Sequence, residues 1–249
     1  MKRLIKTQAE VEELIHQLGF LPMFRNALPG FSIEEMADPS LWFNPVEDGP
    51  WEWKGPIIRK QQCAYGKFFG GKACYVSMPL LADFLNVRRA TARPSAETDE
   101  FGLSQAEILR MVEELETVRS DELKNALGLM RRRKRTASDL VNTLSVTLDT
   151  SDMSKGRSRV DKLLSDLMMQ GRILISDFEY LRSRSGKRYG WGLACYTTPE
   201  AFFGLEAIDP QGRTPEESAA ILLDRLMPAV ISTTGKNVSP ARVRGLFGI

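Results

Sequence analysis

Residues 157–197, RSRVDKLLSDLMMQGRILISDFEYLRSRSGKRYGWGLACYT, change period halfway along. Val160, Leu163, Leu164, Leu167 and Met168 fall at the 3.6-residue spacing of one helix face, and Gly171 supplies the stop. Beyond it the period becomes two. Ile173 and Ile175, then Phe178 and Tyr180, read as a strand with an irregularity near Asp177, while Tyr189, Trp191, Leu193 and Cys195 alternate strictly. Between the two strands Arg182-Ser-Arg-Ser-Gly-Lys-Arg188 forms a basic hairpin tip.

Upstream, Ser104 and Glu107 make a capping box ahead of Ile108, Met111, Val112 and Leu115, a helical apolar face. A short helix follows from a Ser120 cap through Leu123, Ala126 and Leu127 to Gly128. The run Arg131 to Arg135 leads into a further expected helix carrying Leu140, Val141, Leu144 and Leu148; the run itself reads equally as a linker, a phosphate-contacting arm or a solvated helix start. Helices followed by a β-hairpin are the layout of a winged helix-turn-helix, expected over residues 103–198.

Residues 1–102 open with a helix capped by Thr7 and Glu10, carrying Val11, Leu14, Ile15 and Leu18 and stopped by Gly19. Prolines 22, 29, 39, 45, 50 and 56 predict a loop-rich wrap anchored by Trp42, Phe43, Trp51 and Trp53. A hairpin over Cys63–Phe69 and Ala73–Ser77 turns at Gly70-Gly71, Pro79 opens a helix through Val87, and Thr91 to Gly102 reads as a linker. Residues 199–249 are helical, with Thr214, Pro215 and Glu217 capping Leu222, Leu223, Leu226 and Val230, and Ser239-Pro240 starting a last helix. The fold class is therefore α+β, mainly helical, with a winged helix-turn-helix module and short β-hairpins.

The 249 residues are 43% hydrophobic and 27% charged, the range of an ordinary globular protein and not of a disordered chain. No run approaches the ~18 apolar residues of a membrane span, and no signal-peptide core is present, so a cytoplasmic, membrane-free protein is expected. Cys63, Cys74 and Cys195 fit neither a CxxC site nor a disulfide framework and read as reduced structural thiols. A net charge of +2 conceals an uneven distribution. Residues 1–129 hold 15 Lys/Arg against 19 Asp/Glu, residues 130–190 hold 14 against 7, and residues 191–249 hold 5 against 6, or −4, +7 and −1. Clustered cations are what a polyanion-facing surface requires.

The expected DNA-binding residues are Lys155, Arg157, Arg159 and Lys162, near the N-terminal end or outer face of a recognition helix spanning Arg157 to Gln170, and Arg182, Arg184, Lys187 and Arg188 on the wing. The competing reading is a winged helix that serves as a protein-interaction module. Enzyme signatures are sparse. His16 is the single histidine and sits in the first amphipathic helix, which excludes multi-His metal sites and His-based triads, and neither a P-loop nor a GxGxxG follows a strand. No metal or small-molecule cofactor is expected. Trp51, Glu52, Trp53, Gln61 and Tyr65 combine stacking rings with hydrogen-bonding groups, a candidate base pocket, against the alternative that the tryptophans pin a loop to the core.

Gly49-Pro-Trp-Glu-Trp-Lys-Gly-Pro56 with Ala64-Tyr-Gly-Lys-Phe-Phe-Gly-Gly-Lys72, and Ile175-Ser-Asp-Phe-Glu-Tyr180 with Tyr189-Gly-Trp-Gly192 and Tyr196-Thr-Thr-Pro-Glu200, resemble the AlkZ-related, YcaQ-like winged-helix proteins. That resemblance spans roughly four-fifths of the chain by order of segments. It implies binding to double-stranded DNA in repair, and, in the branch that excises alkylated or crosslinked bases, DNA glycosylase activity. This chain departs from that branch at its Q-x-Q or Q-x-D motif: scanning from Gln8, Gln17, Gln61, Gln62, Gln105, Gln170 and Gln211 finds neither, and Gln61-Gln62-Cys63 is a near miss. Glu52 or Asp48 would have to substitute, and no catalytic residue is carried over.

Overall fold

A computed structural model describes residues 4–44, 46–129, 150–184, 186 and 188–249. The expected arginine run at 131–135 and the helix at 140–148 lie outside them.

Helix α1 (Gln8–Leu18) begins with the Thr7/Glu10 capping box and buries Val11, Ile15 and Leu18. Gly19 ends it at φ +79°, and a Cβ there would also come within 2.5 Å of the Leu80 side chain, so both backbone and packing require glycine. Strand β1 (Phe20–Pro22) pairs antiparallel with β3 (Lys72–Ser77), which pairs in turn with β2 (Cys63–Phe69), giving the order β1-β3-β2. Pro22 is tolerated because β1 is an edge strand. The hairpin turns at Gly70 and Gly71, both at positive φ.

A short helix α2 (Ile33–Met36) and a helical turn at Pro39–Leu41 lead to α3 (Pro50–Arg59). The proline count predicts loop here, and the helix is a correction. Pro50 occupies the first turn, where a missing N–H costs nothing, and Glu52 accepts from the Gly49 N–H at 3.1 Å, so the start is well capped. Pro56 forfeits one internal bond, and burial of Trp53, Ile57 and Ile58 offsets it. Helix α4 (Met78–Thr91) then runs against the sheet, with Pro79 in its first turn.

The second half is α5 (Gln105–Leu115), β4 (Thr117–Arg119), α6 (Ser120–Ala126), α7 (Thr150–Met169), β5 (Leu174–Arg182) and β6 (Arg188–Thr197), with sheet order β4-β6-β5. The irregularity expected near Asp177 is a register shift between Ile175 and Asp177. Helix α7 starts seven residues before Arg157. Gly156 lies inside it as a packing residue, because a Cβ would fall 2.7 Å from the Leu129 Cδ2. Ile108, Val112, Leu123, Val160, Leu164, Leu167 and Ile173 are fully buried between these elements.

Helices α8 (Pro199–Phe203), α9 (Pro215–Thr234) and α10 (Pro240–Phe247) complete the chain. The buried Asp83 carboxylate of α4 accepts from Arg213 Nε and from Ser218 Oγ of α9, each at 2.7 Å. One continuous core runs from Ile5 to Phe247. The two sheets meet through Tyr65 and Phe178, whose rings are 5.9 Å apart; Lys67 Nζ of β2 also donates to Ser165 Oγ of α7 at 2.9 Å, and Arg59 of α3 pairs with Asp177 of β5 at 2.6 Å.

Candidate nucleic-acid interface

The cations of α7 divide into two groups. Lys155 and Lys162 are exposed, on the same helix face seven residues apart, with Lys162 paired to Asp166 at 2.8 Å. Arg157 and Arg159 are half-buried and turned to the protein: Arg157 donates to the Leu129 carbonyl at 3.2 Å, and Arg159 Nε donates to Asp99 at 2.6 Å. Burial pushes the Asp99 carboxyl up, but bonds from the Leu103 N–H, Arg159 and the Phe101 N–H outweigh it and hold the group below the usual carboxylate range. The expected alliance of these side chains with the helix N-terminus does not form, because Arg157 stands seven residues, roughly 10 Å, inside α7.

At the tip of the β5-β6 hairpin, Arg182 and Arg184 are exposed, Arg182 donating to the Gly186 carbonyl at 3.1 Å across the turn. Arg188 pairs in register with Arg182, and Lys187 lies outside the described residues. The hairpin is braced at its base, where Arg119 ties β4 to Asp121 at 2.6 Å and to Glu179 of β5 at 3.0 Å.

The five residues expected to form a base pocket are spread over different roles. Tyr65 and Trp53 are core side chains, Tyr65 stacking 4.6 Å from Tyr75, so neither offers a ring face to a base in this fold. Glu52 caps α3, and the amide of Gln61 donates to the Phe202 carbonyl at 3.0 Å. Only Trp51 contributes a ring at the surface.

Trp51 belongs to an aromatic group that sequence reasoning did not assemble. Its ring lies 5.4 Å from Trp191 of β6 and 5.8 Å from Phe43, and Phe43 is 5.9 Å from Trp191. Trp191 is 66% exposed and Phe43 59%. Phe43 adopts φ +57°, a left-handed conformation that costs a non-glycine residue roughly 1–2 kcal/mol. Beneath the group, the buried Lys54 ammonium lies 3.2 Å from the Trp51 ring centre and 4.3 Å from that of Phe178. Burial pushes the Lys54 amine down to about 8, against the opposing pull of Glu52. The strict alternation expected of Tyr189, Trp191, Leu193 and Cys195 does not hold: the register shifts between Glu179 and Leu181, opposite residues 189–193, and Gly190 takes φ +73°, so Cys195 is buried in the core while Trp191 stands in solvent beside Trp51.

Among the described residues no cluster of His, Cys, Asp or Glu is arranged to hold a metal ion, and no helix is long and apolar enough to cross a membrane. All three cysteines are buried and free, and burial pushes the Cys63 and Cys195 thiols up to about 12, which removes them as nucleophiles near neutral pH. His16 lines an open groove with Leu80, Ile221, Asp224 and Arg225.

Comparison with known proteins gives a family match: a family model described as AlkZ related covers residues 5–240. No curated protein matches. Among solved structures, the DNA glycosylase AlkZ of Streptomyces sahachiroi is similar at a TM-score of 0.48 and 11% identity, covering 99% of this chain. The chain spans 60% of that protein's length.

Proposed function

Because this chain belongs to the AlkZ-related family, we propose that it binds double-stranded DNA in a repair context, with residues 103–198 acting as a winged helix-turn-helix. The observation that carries this reading is the element order α5-β4-α6-α7-β5-β6 with the sheet order β4-β6-β5, ending in a projecting hairpin whose tip bears Arg182 and Arg184. Among the described residues a three-stranded sheet packed with α5, α6 and α7 supports the hairpin, and exposed guanidinium groups at its turn suit phosphate oxygens or the minor groove. On α7 the cations that face outward, toward a docked duplex, are Lys155 and Lys162; Arg157 and Arg159 brace the helix.

The test is a fluorescence-anisotropy titration with a duplex at several salt concentrations. Replacing Arg182 and Arg184 with alanine is expected to weaken binding and to lower the slope of log K against log salt by about 2, at ~0.9 for each phosphate no longer neutralised. Arg157→Ala and Arg159→Ala are expected to leave that slope unchanged. An unaltered slope in the wing variant would remove the wing from the interface, and retention of a protein partner without any salt-dependent DNA binding would assign the module to protein interaction. Release of bases from alkylated DNA would extend the reading to a glycosylase.

A further inference from the structure

We propose that Phe43, Trp51 and Trp191 form a stacking platform for an unpaired nucleobase, so that the protein engages DNA at a bulged or single-stranded position. The inference rests on the DNA-binding reading and gives it a substrate feature. Phe43 and Trp191 are the large aromatic side chains most exposed among the described residues, and they touch each other although 148 positions separate them. Two segments therefore bring their apolar rings out to one place. Phe43 keeps a left-handed backbone that a non-glycine residue disfavours, and its ring is 59% exposed at this place. Trp51 and Trp191 meet at 80°, which makes a corner: a base lying flat on one ring presents its edge to the other.

Charge selects a nucleic acid over an apolar peptide as the occupant. The exposed Arg182 and Arg184 lie at the hairpin tip, which begins three residues from Trp191, about 10 Å along β6, and they supply cations beside an otherwise apolar surface. Glu47 and Asp48 follow Phe43 on the loop side and repel phosphate, which directs the backbone of a bound strand toward the wing.

The experiment compares a fully paired duplex with the same duplex carrying a single-nucleotide bulge, using the full chain. The wild-type protein is expected to prefer the bulged DNA by at least fivefold, with quenching of tryptophan fluorescence. Trp191→Ala should abolish both the preference and most of the quenching while leaving paired-duplex affinity and its salt slope intact, and Trp191→Phe should keep most of the preference, because a ring face remains. Trp191 is mostly solvated, so neither change threatens folding. Equal affinity of the wild type for the two DNAs, or a preference that survives Trp191→Ala, overturns the platform and leaves duplex binding standing. Failure of the wild type to bind either DNA overturns the DNA-binding reading as well.

Discussion

Lys54 holds an ammonium group in an apolar setting between two aromatic rings. Its amine is 3% exposed, between Trp51 and Phe178, and burial lowers its pKa from 10.5 to about 8. Between pH 8 and 10.5 the unfolded chain carries this proton and the folded chain does not, so this group makes stability rise with pH across that window. The charge it keeps below pH 8 costs on the order of 3 kcal/mol, which the cation–π contacts offset in part. The thiols of Cys63 and Cys195 work the other way: their folded pKa values lie above the ordinary 9, so their contribution is present below pH 9 and lost as pH rises toward 12. A wild-type pH profile mixes both signs, and a difference profile separates them. Lys54→Met should raise the melting temperature at pH 7 and lose that advantage by pH 10.5. A difference that stays constant from pH 7 to pH 10.5 would show that Lys54 does not titrate in that window.

Among the elements, α3 shows what a sequence conveys and what it withholds. The capping signals at Thr7, Ser104 and Thr214 are local, each a side chain bonding a backbone group three residues away, and all three mark helix starts in the structure. The period change after Gly171 is equally local, and so is the hairpin at Gly70-Gly71. Helix α3 was hidden because Pro50 and Pro56 look like breaks until tertiary burial of Trp53, Ile57 and Ile58 is counted. Strand β4 was hidden because three residues with one buried side chain, Val118, carry no period. The group of Phe43, Trp51 and Trp191 was illegible for a stronger reason: Trp51 and Trp191 become neighbours only when the β5-β6 hairpin is folded against α3, and no local pattern encodes that. Gly49 makes the junction possible. A Cβ at Gly49 would lie 1.9 Å from the Leu41 carbonyl oxygen, so the turn holding Phe43 can approach the start of α3 only over a glycine. Gly49→Ala forces backbone apart and is expected to destabilise by about 2 kcal/mol, read as a lower urea midpoint at unchanged m. An unchanged midpoint would mean that the turn is free to move away.

At the scale of the whole molecule, the sequence divides into three stretches by composition and charge, whereas the core is continuous from Ile5 to Phe247. Arg88 of α4 explains part of that continuity. It is 8% exposed, and its Nη2 donates to the Phe68 carbonyl of β2 and the Phe247 carbonyl of α10, each at 2.7 Å. Burial pushes its pKa down to about 10, so it keeps its charge at pH 7 and both hydrogen bonds are charge-assisted. Gly248, at φ +62°, lets the chain end close over this guanidinium, since a Cβ there would lie 2.3 Å from Arg88 Nη1. One side chain thus ties the first sheet, the long helix α4 and the last helix together. Arg88→Leu would leave two buried carbonyls without a donor and is expected to cost about 3 kcal/mol. If the three stretches share one cooperative core, that loss must appear in every probe alike. Tryptophan fluorescence reports Trp42, Trp51, Trp53 and Trp191 near the junction of α3 and β6, and far-UV circular dichroism reports helices throughout. The expected result is coincident transitions by both probes in the wild type and an equal shift of both in Arg88→Leu. A shift confined to dichroism would show that the helices joined by Arg88 come apart separately from the tryptophan-bearing junction of α3 with β6, where the contact between Trp51 and Trp191 would then persist.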